Sequence, residues 1–400
     1  MENLGNLQAR RTPDLKYLLG FIIAIGPVSV DMYLPAAAEI AREFGPSTPQ
    51  LTLAAYFAGF AVGQMTQGLL SDRLGRRLPL AAGLTLYTIA SICCACAQST
   101  ESFCVFRAFA AFGAAASIVV PRAMVRDIAD GAKAAELMSG VMQVMSVAPV
   151  IAPILGSFVL EFASWRMIFV VAALYGIVGL LLLWHYLPET LPAERRLSIG
   201  VAPIMRLYGA ILRERGFLSN ALLGMCGMSA LFAFLAGSPT AFMIQYGYTQ
   251  MAYGFSLAAI GAATIGFFRL NTSLVRRYGA PRVISLGLLI WLAASAYLVV
   301  ASLAPPARSA AVFGALLVFT LGYCFIPSNA QVGALSRHAG HAGSATALMS
   351  TMQYSGGAVA GALVGKFADG TAKPMAWVML ICALGAVVVA CFRPRLKSRI

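Results

Sequence analysis

The sequence predicts an all-α membrane protein of twelve transmembrane helices arranged in two six-helix bundles. Three observations carry that reading. The 400-residue chain is 60% hydrophobic and only 11% charged, with a mean hydropathy of +0.79, against about 25% charged and about 45–50% apolar residues in soluble proteins. Its apolar residues fall in runs close to the roughly 20 needed to cross a bilayer core. Its basic residues form short clusters between those runs, concentrated in alternate loops, the pattern of positive-inside topology.

The runs follow in order. The first, 17–38, contains a single charge, Asp31. The second and third, 51–70 and 78–97, are separated by the basic loop SDRLGRR. The fourth and fifth, 103–125 and 137–160, flank Arg126 and Lys133, and 167–187 closes the first set after Arg166. The longest polar segment, 188–216, contains PETLPAERR and RERG and reads as a cytoplasmic linker. The second set is 217–242, 252–275, 283–303, 310–335, 344–364 and 374–392, broken by Arg276, Arg277 and Arg282, then Arg308, then Arg337, then Lys366 and Lys373. The expected organisation is therefore an N-terminal bundle over 1–187, a linker over 188–216 and a C-terminal bundle over 217–400.

An even count places both termini on one side. Loops on that side hold 21 basic residues, from Arg10 and Arg11 through Arg395, Lys397 and Arg399. The opposite loops hold 5: Arg42, Arg166, Arg308, Lys366 and Lys373. The termini are therefore expected in the cytoplasm, in a bacterial inner membrane, and the protein as a monomer. Eleven spans would put the tail RPRLKSRI outside, against this bias.

The net charge of +14 is dispersed, which argues against nucleic acid as a partner. The first run is too long for a cleavable signal peptide. Cys93, Cys94 and Cys96 lie within an apolar run and read as small packing residues, and His338 and His341 as solvated surface. No nucleotide-binding loop, nucleophile triad or metal pair is present, so neither an enzyme nor a cofactor is expected.

The two sets of runs echo each other. SDRLGRRLPLAAG from Ser71 and VRRYGAPRVISLG from Val275 occupy equivalent loops. Arg73 and Arg277, Gly75 and Gly279, and Gly83 and Gly287 each differ by 204 positions, and VMQ at 141–143 is matched by TMQ at 351–353. Duplicated halves with a site between them are a common transporter plan.

The most specific motif is GLLSDRLGRRLPL, residues 68–80. Gly68 and Gly75 permit a tight turn and close helix approach. Asp72 is suited to accept from the exposed N–H groups of a neighbouring helix N-terminus. Arg73, Arg76 and Arg77 can bond carboxylates and helix C-terminal carbonyls.

This stretch resembles the signature loop of the major facilitator superfamily. SVDMYLP in the first span, MVRDI at 124–128, APVIAPILG at 148–156, WRMIF at 165–169, LPET at 187–190 and the segment HAGSATALMSTMQYSGGA resemble its Bcr/CflA-type drug-resistance branch. The resemblance implies proton-driven efflux of hydrophobic small-molecule drugs through two six-helix bundles. It also implies a cytoplasmic latch at Gly68, Asp72, Arg73, Gly75, Arg76, Arg77, Arg126 and Asp127, and an antiporter helix at Pro149, Pro153 and Gly156. The prolines remove backbone donors and bend that helix, and Gly156 allows close contact. Two departures stand out: Ala152 and Ser157 replace glycines of the antiporter motif. In the fourth-span motif RAFAAFG, Arg107 and Gly113 are in place, but Ala110 and Ala111 stand for the usual Gln–Gly pair.

Asp31 is the candidate proton carrier. A charge at the centre of a span costs about 2.5–3.5 kcal/mol to insert, and such residues mark transport pathways. It lies about 21 Å along the first span from Tyr17 at 1.5 Å per residue. Arg107, one turn into the fourth span, shares that level as a counter-charge or near neighbour. A carboxylate's proton affinity rises with desolvation and falls beside a guanidinium. A conformational change that alters water access or arginine distance would therefore load and unload it, with protons competing against drug. Candidate drug-contacting residues are Tyr33, Tyr56, Met145, Phe232, Phe234, Gln353 and Tyr354. The alternative reading is a proton-coupled exporter or importer of one metabolite, such as a sugar, amino acid or peptide.

Overall fold

In the computed structural model the described residues are 15–196, 201–303, 309–338 and 341–393. Arg10, Arg11, Arg308, Arg395, Lys397 and Arg399, which contribute to the expected charge bias, lie outside them. Twelve long helical spans are found among the described residues. They are α1 (Leu15–Phe44), α2 (Thr48–Leu74), α3 (Arg77–Ala95), α4 (Thr100–Ile128), α5 (Gly131–Phe162) and α6 (Arg166–Tyr186), then α7 (Arg215–Gln245), α8 (Gln250–Tyr278), α9 (Ala280–Ser302), α10 (Ser309–Leu335), α11 (Ala342–Lys366) and α12 (Lys373–Cys391). Ten are long and apolar enough to cross a membrane. The other two, α2 and α11, carry more Gln, Ser, Thr and Gly. They pack against each other across the two halves, so less of their surface has to suit lipid.

Packing repeats between the halves. In the first, α1 packs on α5, α2 on α4, and α3 on both α4 and α6. In the second, α7 packs on α11, α8 on α10, and α9 on both α10 and α12. Two crossings join the halves, α2 with α11 and α5 with α8, and the same repeat converts one into the other. The glycines at the 204-residue spacing show why. A methyl group on Gly83 would lie 2.8 Å from the Gly113 carbonyl oxygen, and one on Gly287 would lie 2.9 Å from that of Gly322. Conversely, a methyl on Gly113 would lie 2.7 Å from the Tyr87 nitrogen, and one on Gly322 2.7 Å from that of Trp291. Each half therefore needs two bare Cα atoms for α3 to meet α4, or α9 to meet α10, backbone to backbone. Gly75 and Gly279 both adopt positive φ, 92° and 81°, at equivalent turns.

Prolines break the helices where the function is expected. In α1, helical segments Leu15–Ile23 and Ile25–Asp31 are followed by a 3-10 turn, Leu34–Ala36, and a last helix, Ala37–Phe44. Pro27 has no N–H for the Ile23 carbonyl, and Pro35 none for that of Asp31, so the regular helix ends at the carboxylate. In α7, Pro239, 204 positions after Pro35, precedes a π-helical turn at Thr240–Gln245. In α10 the helix breaks between Cys324 and Pro327. The segment expected as polar linker contains a helix, Val201–Arg213, with Tyr208 and Ile211 buried. Apolar residues one helical face apart, Ile204, Tyr208 and Ile211, override its polar average.

Candidate functional site

A cavity of about 900 Å³ lies between the halves. It reaches from the level of Asp31 towards the end of the bundle that carries the α2–α3 loop, with Ser139 and Gln143 of α5, Arg269 and Thr272 of α8 and Ser328 of α10 along its walls. At the opposite end the halves are bonded together. Gln250 Nε2 donates to Glu39 at 2.7 Å, Ser157 Oγ donates to the Gln250 carbonyl at 2.9 Å, and the Gln50 amide bonds Thr240 Oγ1 at 3.1 Å.

Asp31 lines this cavity and is the only carboxylate among its described lining residues. Among the described residues its side chain makes no hydrogen bond or ion pair. Leu235, 204 positions further on, also lines the cavity, so the equivalent position of the second half carries an apolar side chain.

Arg107 does not pair with Asp31. It is 2% exposed, and its Nη1 approaches the Ser29 carbonyl at 3.4 Å. The rings of Tyr33, Tyr56 and Phe169 lie 4.7, 4.4 and 5.6 Å from its guanidinium carbon. The helical twist explains the separation. Val28, Ser29 and Met32 face Arg107, whereas Gly26, Pro27, Val30 and Asp31 face the cavity. Similar depth, which is all that residue counting supplies, does not fix the face.

Of the expected drug-contacting residues, Tyr56, Met145, Phe232, Phe234 and Tyr354 line the cavity. Tyr33 and Gln353 do not. Tyr33 is 1% exposed, with its hydroxyl bonded to Thr52 at 2.7 Å. Gln353 packs against Gly224, where an added methyl would meet its amide nitrogen at 2.6 Å. Phe57 and Phe60 also line the cavity. Phe57 stacks on Phe232 across the halves, ring centroids 3.5 Å apart, and Phe60 sits 4.4 Å from Tyr354. The only sequence signal for them is the aromatic spacing in YFAGF.

The signature loop forms a partly buried polar cluster within the first half, centred on Arg76. Arg76, 6% exposed, bonds Asp127 through Nε at 2.7 Å and Nη2 at 3.3 Å, Ser71 at 3.0 Å, and Asp72 as a close ion pair. Asp72 therefore pairs with Arg76 rather than capping a neighbouring helix. The cap on α3 comes from Glu189 of LPET, which accepts from the Arg76 and Arg77 backbone N–H groups at 2.8 and 3.1 Å. Thr190 donates to Asp127 at 3.1 Å, and Arg77 donates to the Trp184 carbonyl at 3.0 Å. Burial pushes the Glu189 carboxyl up, but the three backbone donors of Arg76, Leu191 and Arg77 and the nearby Arg196 guanidinium outweigh it and hold the group below the usual carboxylate range. An added methyl on Gly343, at the start of α11, would lie 3.9 Å from Arg126. Gly68 packs beside Val119, Gly75 makes the turn at positive φ, and Arg73 follows Asp72 at the end of α2.

In α5, Pro149 presents its carbonyl to Gly261 and Pro153 presents its own to Gly254, at 2.9 and 3.0 Å from added methyls, while Gly156 abuts the Met32 backbone. Both prolines line the cavity. WRMIF closes the far end of α1: Trp165 Nε1 and Arg166 Nη1 donate to Glu43 at 2.8 and 3.0 Å. His338, expected as solvated surface, is half-buried: it bonds Glu214 at 2.8 Å, and its ring meets Phe217 edge-on.

The chain matches the Major Facilitator Superfamily profile over residues 19–361. It is 29% identical over 389 residues to the uncharacterized MFS-type transporter YdgK of Bacillus subtilis, covering 95% of each chain. It is 28% identical over 388 residues to a bicyclomycin resistance protein homolog of Haemophilus influenzae, covering 95% of this chain and 96% of that one. Its fold is similar to that of a bacterial homolog of the lysosomal transporter Spinster in an inward-facing conformation, with a TM-score of 0.74 at 15% identity and 95% coverage of both chains. Twelve long helices repeating as two sets of six, a shared central cavity and the profile match make this chain a member of the Major Facilitator Superfamily.

Proposed function

We propose that this multi-pass membrane protein is a proton-coupled multidrug efflux antiporter working by alternating access, with Asp31 as proton carrier. The observation that carries the reading is a carboxylate, lone and unpaired among the described residues, on the wall of a large, mostly apolar and aromatic cavity between the halves. Pockets of that kind suit drug-sized ligands, and intramembrane acids facing a cavity mark ion pathways. Resistance to bicyclomycin is named for one relative of this chain, which favours drugs over a single metabolite.

In this reading the termini and the α2–α3 loop face the cytoplasm, as the basic loops favour. The two six-helix halves, 1–187 and 217–400, rock about the α2–α11 and α5–α8 crossings. The cavity then receives drug from inside, while the Glu39–Gln250–Ser157 contacts seal the outside. Rocking outwards exposes Asp31 to external protons, which displace the drug. Rocking back delivers the proton inside.

The energetics suffice. One charge crossing 100 mV yields about 2.3 kcal/mol, and at 1.4 kcal/mol per tenfold one proton sustains roughly a 50-fold gradient of a neutral drug. For a monovalent cation exchanged one for one, the voltage contribution cancels. Neutral or zwitterionic drugs are therefore the favoured cargo. A drug-susceptibility panel on cells with and without the protein tests the reading. Raised tolerance to several unrelated hydrophobic drugs is expected, and tolerance unchanged across the panel would overturn it.

A further inference from the structure

On the face of α1 opposite Asp31 lies a second, much smaller cavity bounded by Ser29, Tyr87, Ser91, Arg107 and Phe169. It admits one water-sized sphere, whose centre is free over about 10 Å³, the room for a single small particle. Most of the wall is apolar, from Val28, Met32, Ile168, Phe169 and Ala172, and its few polar groups come from Ser29, Tyr87, Ser91 and Arg107. Arg107 Nε and Nη2 are buried and have no hydrogen-bond partner among the described residues. These two N–H groups lie on one edge of the planar guanidinium and point the same way, forming the fork that grips an anion with two parallel bonds. The aromatic rings of Tyr33, Tyr56 and Phe169 cover the cation, so the open edge is where a ligand can approach.

The hydroxyls add a third donor. Ser29 and Tyr87 share one hydrogen bond of 2.6 Å, which uses one of their two protons and leaves the other. Ser91 spends its proton on the Tyr87 carbonyl at 2.7 Å. A buried cation with no carboxylate partner among the described residues is costly, and π faces offset only part of that cost. A particle that accepts three bonds, carries no protons of its own and brings one negative charge answers both needs. A carboxylate or a polyatomic oxyanion exceeds the volume.

We propose that this cavity binds one halide ion, chloride in the cell, gripped by the Arg107 Nε/Nη2 fork and the free hydroxyl proton of the Ser29–Tyr87 pair. Arg107 is only about 10 Å along α4 from Thr100 at 1.5 Å per residue, so the path from the nearer aqueous phase is short. The site would neutralise the one buried guanidinium in the α1–α4 contact.

The test uses the full-length protein in detergent and does not depend on transport. At constant ionic strength, replacing gluconate with chloride or bromide is expected to raise the thermal unfolding midpoint saturably, by on the order of a few degrees. Arg107→Gln is expected to abolish the halide effect. Crystals of the unmutated protein soaked in bromide should show an anomalous peak within about 3.5 Å of Arg107 Nε and Nη2, a readout that stands even if the variant fails to fold. Equal midpoints in chloride and gluconate, or a bromide map without density in this cavity, would overturn the proposal and leave a water as its occupant.

Discussion

Asp31 and Arg107 sit on opposite faces of α1: the carboxylate on the wall of the central cavity, the guanidinium under the Ser29 carbonyl at 3.4 Å. They are neighbours in depth and strangers in contact. A static ion pair is thus not what holds α1 to α4. The carboxylate faces the cavity, where the proposed function has it exchange its proton.

That separation has a direct thermodynamic consequence. In a double-mutant cycle on unfolding stability, Asp31→Asn and Arg107→Gln should be additive within about 0.5 kcal/mol, as expected for groups that share no partner. A coupling energy of several times that size would indicate an ion pair in the populated state.

Arg76 should behave in the opposite way. It is buried, and it bonds Asp127 through two nitrogens. Arg76→Ala leaves Asp127 without its main partner and is predicted to cost about 2–3 kcal/mol, less than the 3–5 typical of fully buried pairs because Asp127 and Asp72 keep partial access to water. Arg76→Lys should recover less than half of the loss, since a lysine cannot reproduce the fork. Thermal unfolding in detergent measures both.

Glu189 gives the loop a pH dependence. Its folded pKa lies below the usual value because backbone N–H donors and Arg196 outweigh the effect of burial. A depressed carboxyl contributes stability that is present above the unfolded value, about 4.3, and is lost as pH falls through the folded value. Stability should therefore decline on acidification below about pH 4.3. Glu189→Gln should be less stable at neutral pH by about 0.5–1 kcal/mol, the scale of a helix cap, and should lose less on acidification. A variant with the same acid profile as the unmutated protein would refute the capping role.

The Phe57–Phe232 stack joins the halves at the cavity wall. Phe232→Ala should weaken binding of aromatic drugs by roughly two- to tenfold, corresponding to the 0.5–1.5 kcal/mol of one aromatic pair. Phe158→Ala, on the exposed outer face, should leave it unchanged. Equilibrium binding of a fluorescent drug to the purified protein measures the difference.

The architecture was legible because lipid imposes a simple rule: long apolar runs, separated by charge. The runs at 78–97 and 283–303 match α3 and α9 closely, and the Gly83–Gly287 spacing, read from sequence, marks equivalent helix crossings. The site was less legible. Asp31 stands out because a charge in oil is conspicuous. Which way Arg107, Tyr33 and Gln353 point depends on helix rotation and on the proline breaks, which residue counting does not resolve. Glu189 and Thr190 were visible only as part of LPET; their partners lie more than sixty residues away in sequence. The Val201–Arg213 helix was hidden by averaging a narrow apolar stripe into a polar segment.

The most direct measurement is drug-induced proton movement in inverted membrane vesicles bearing either the unmutated protein or Asp31→Asn. The account predicts that adding drug to energised vesicles releases protons from the lumen with the unmutated protein. It predicts no release, and no uphill drug accumulation, with Asp31→Asn, although drug still binds. Undiminished uphill accumulation by Asp31→Asn would contradict it.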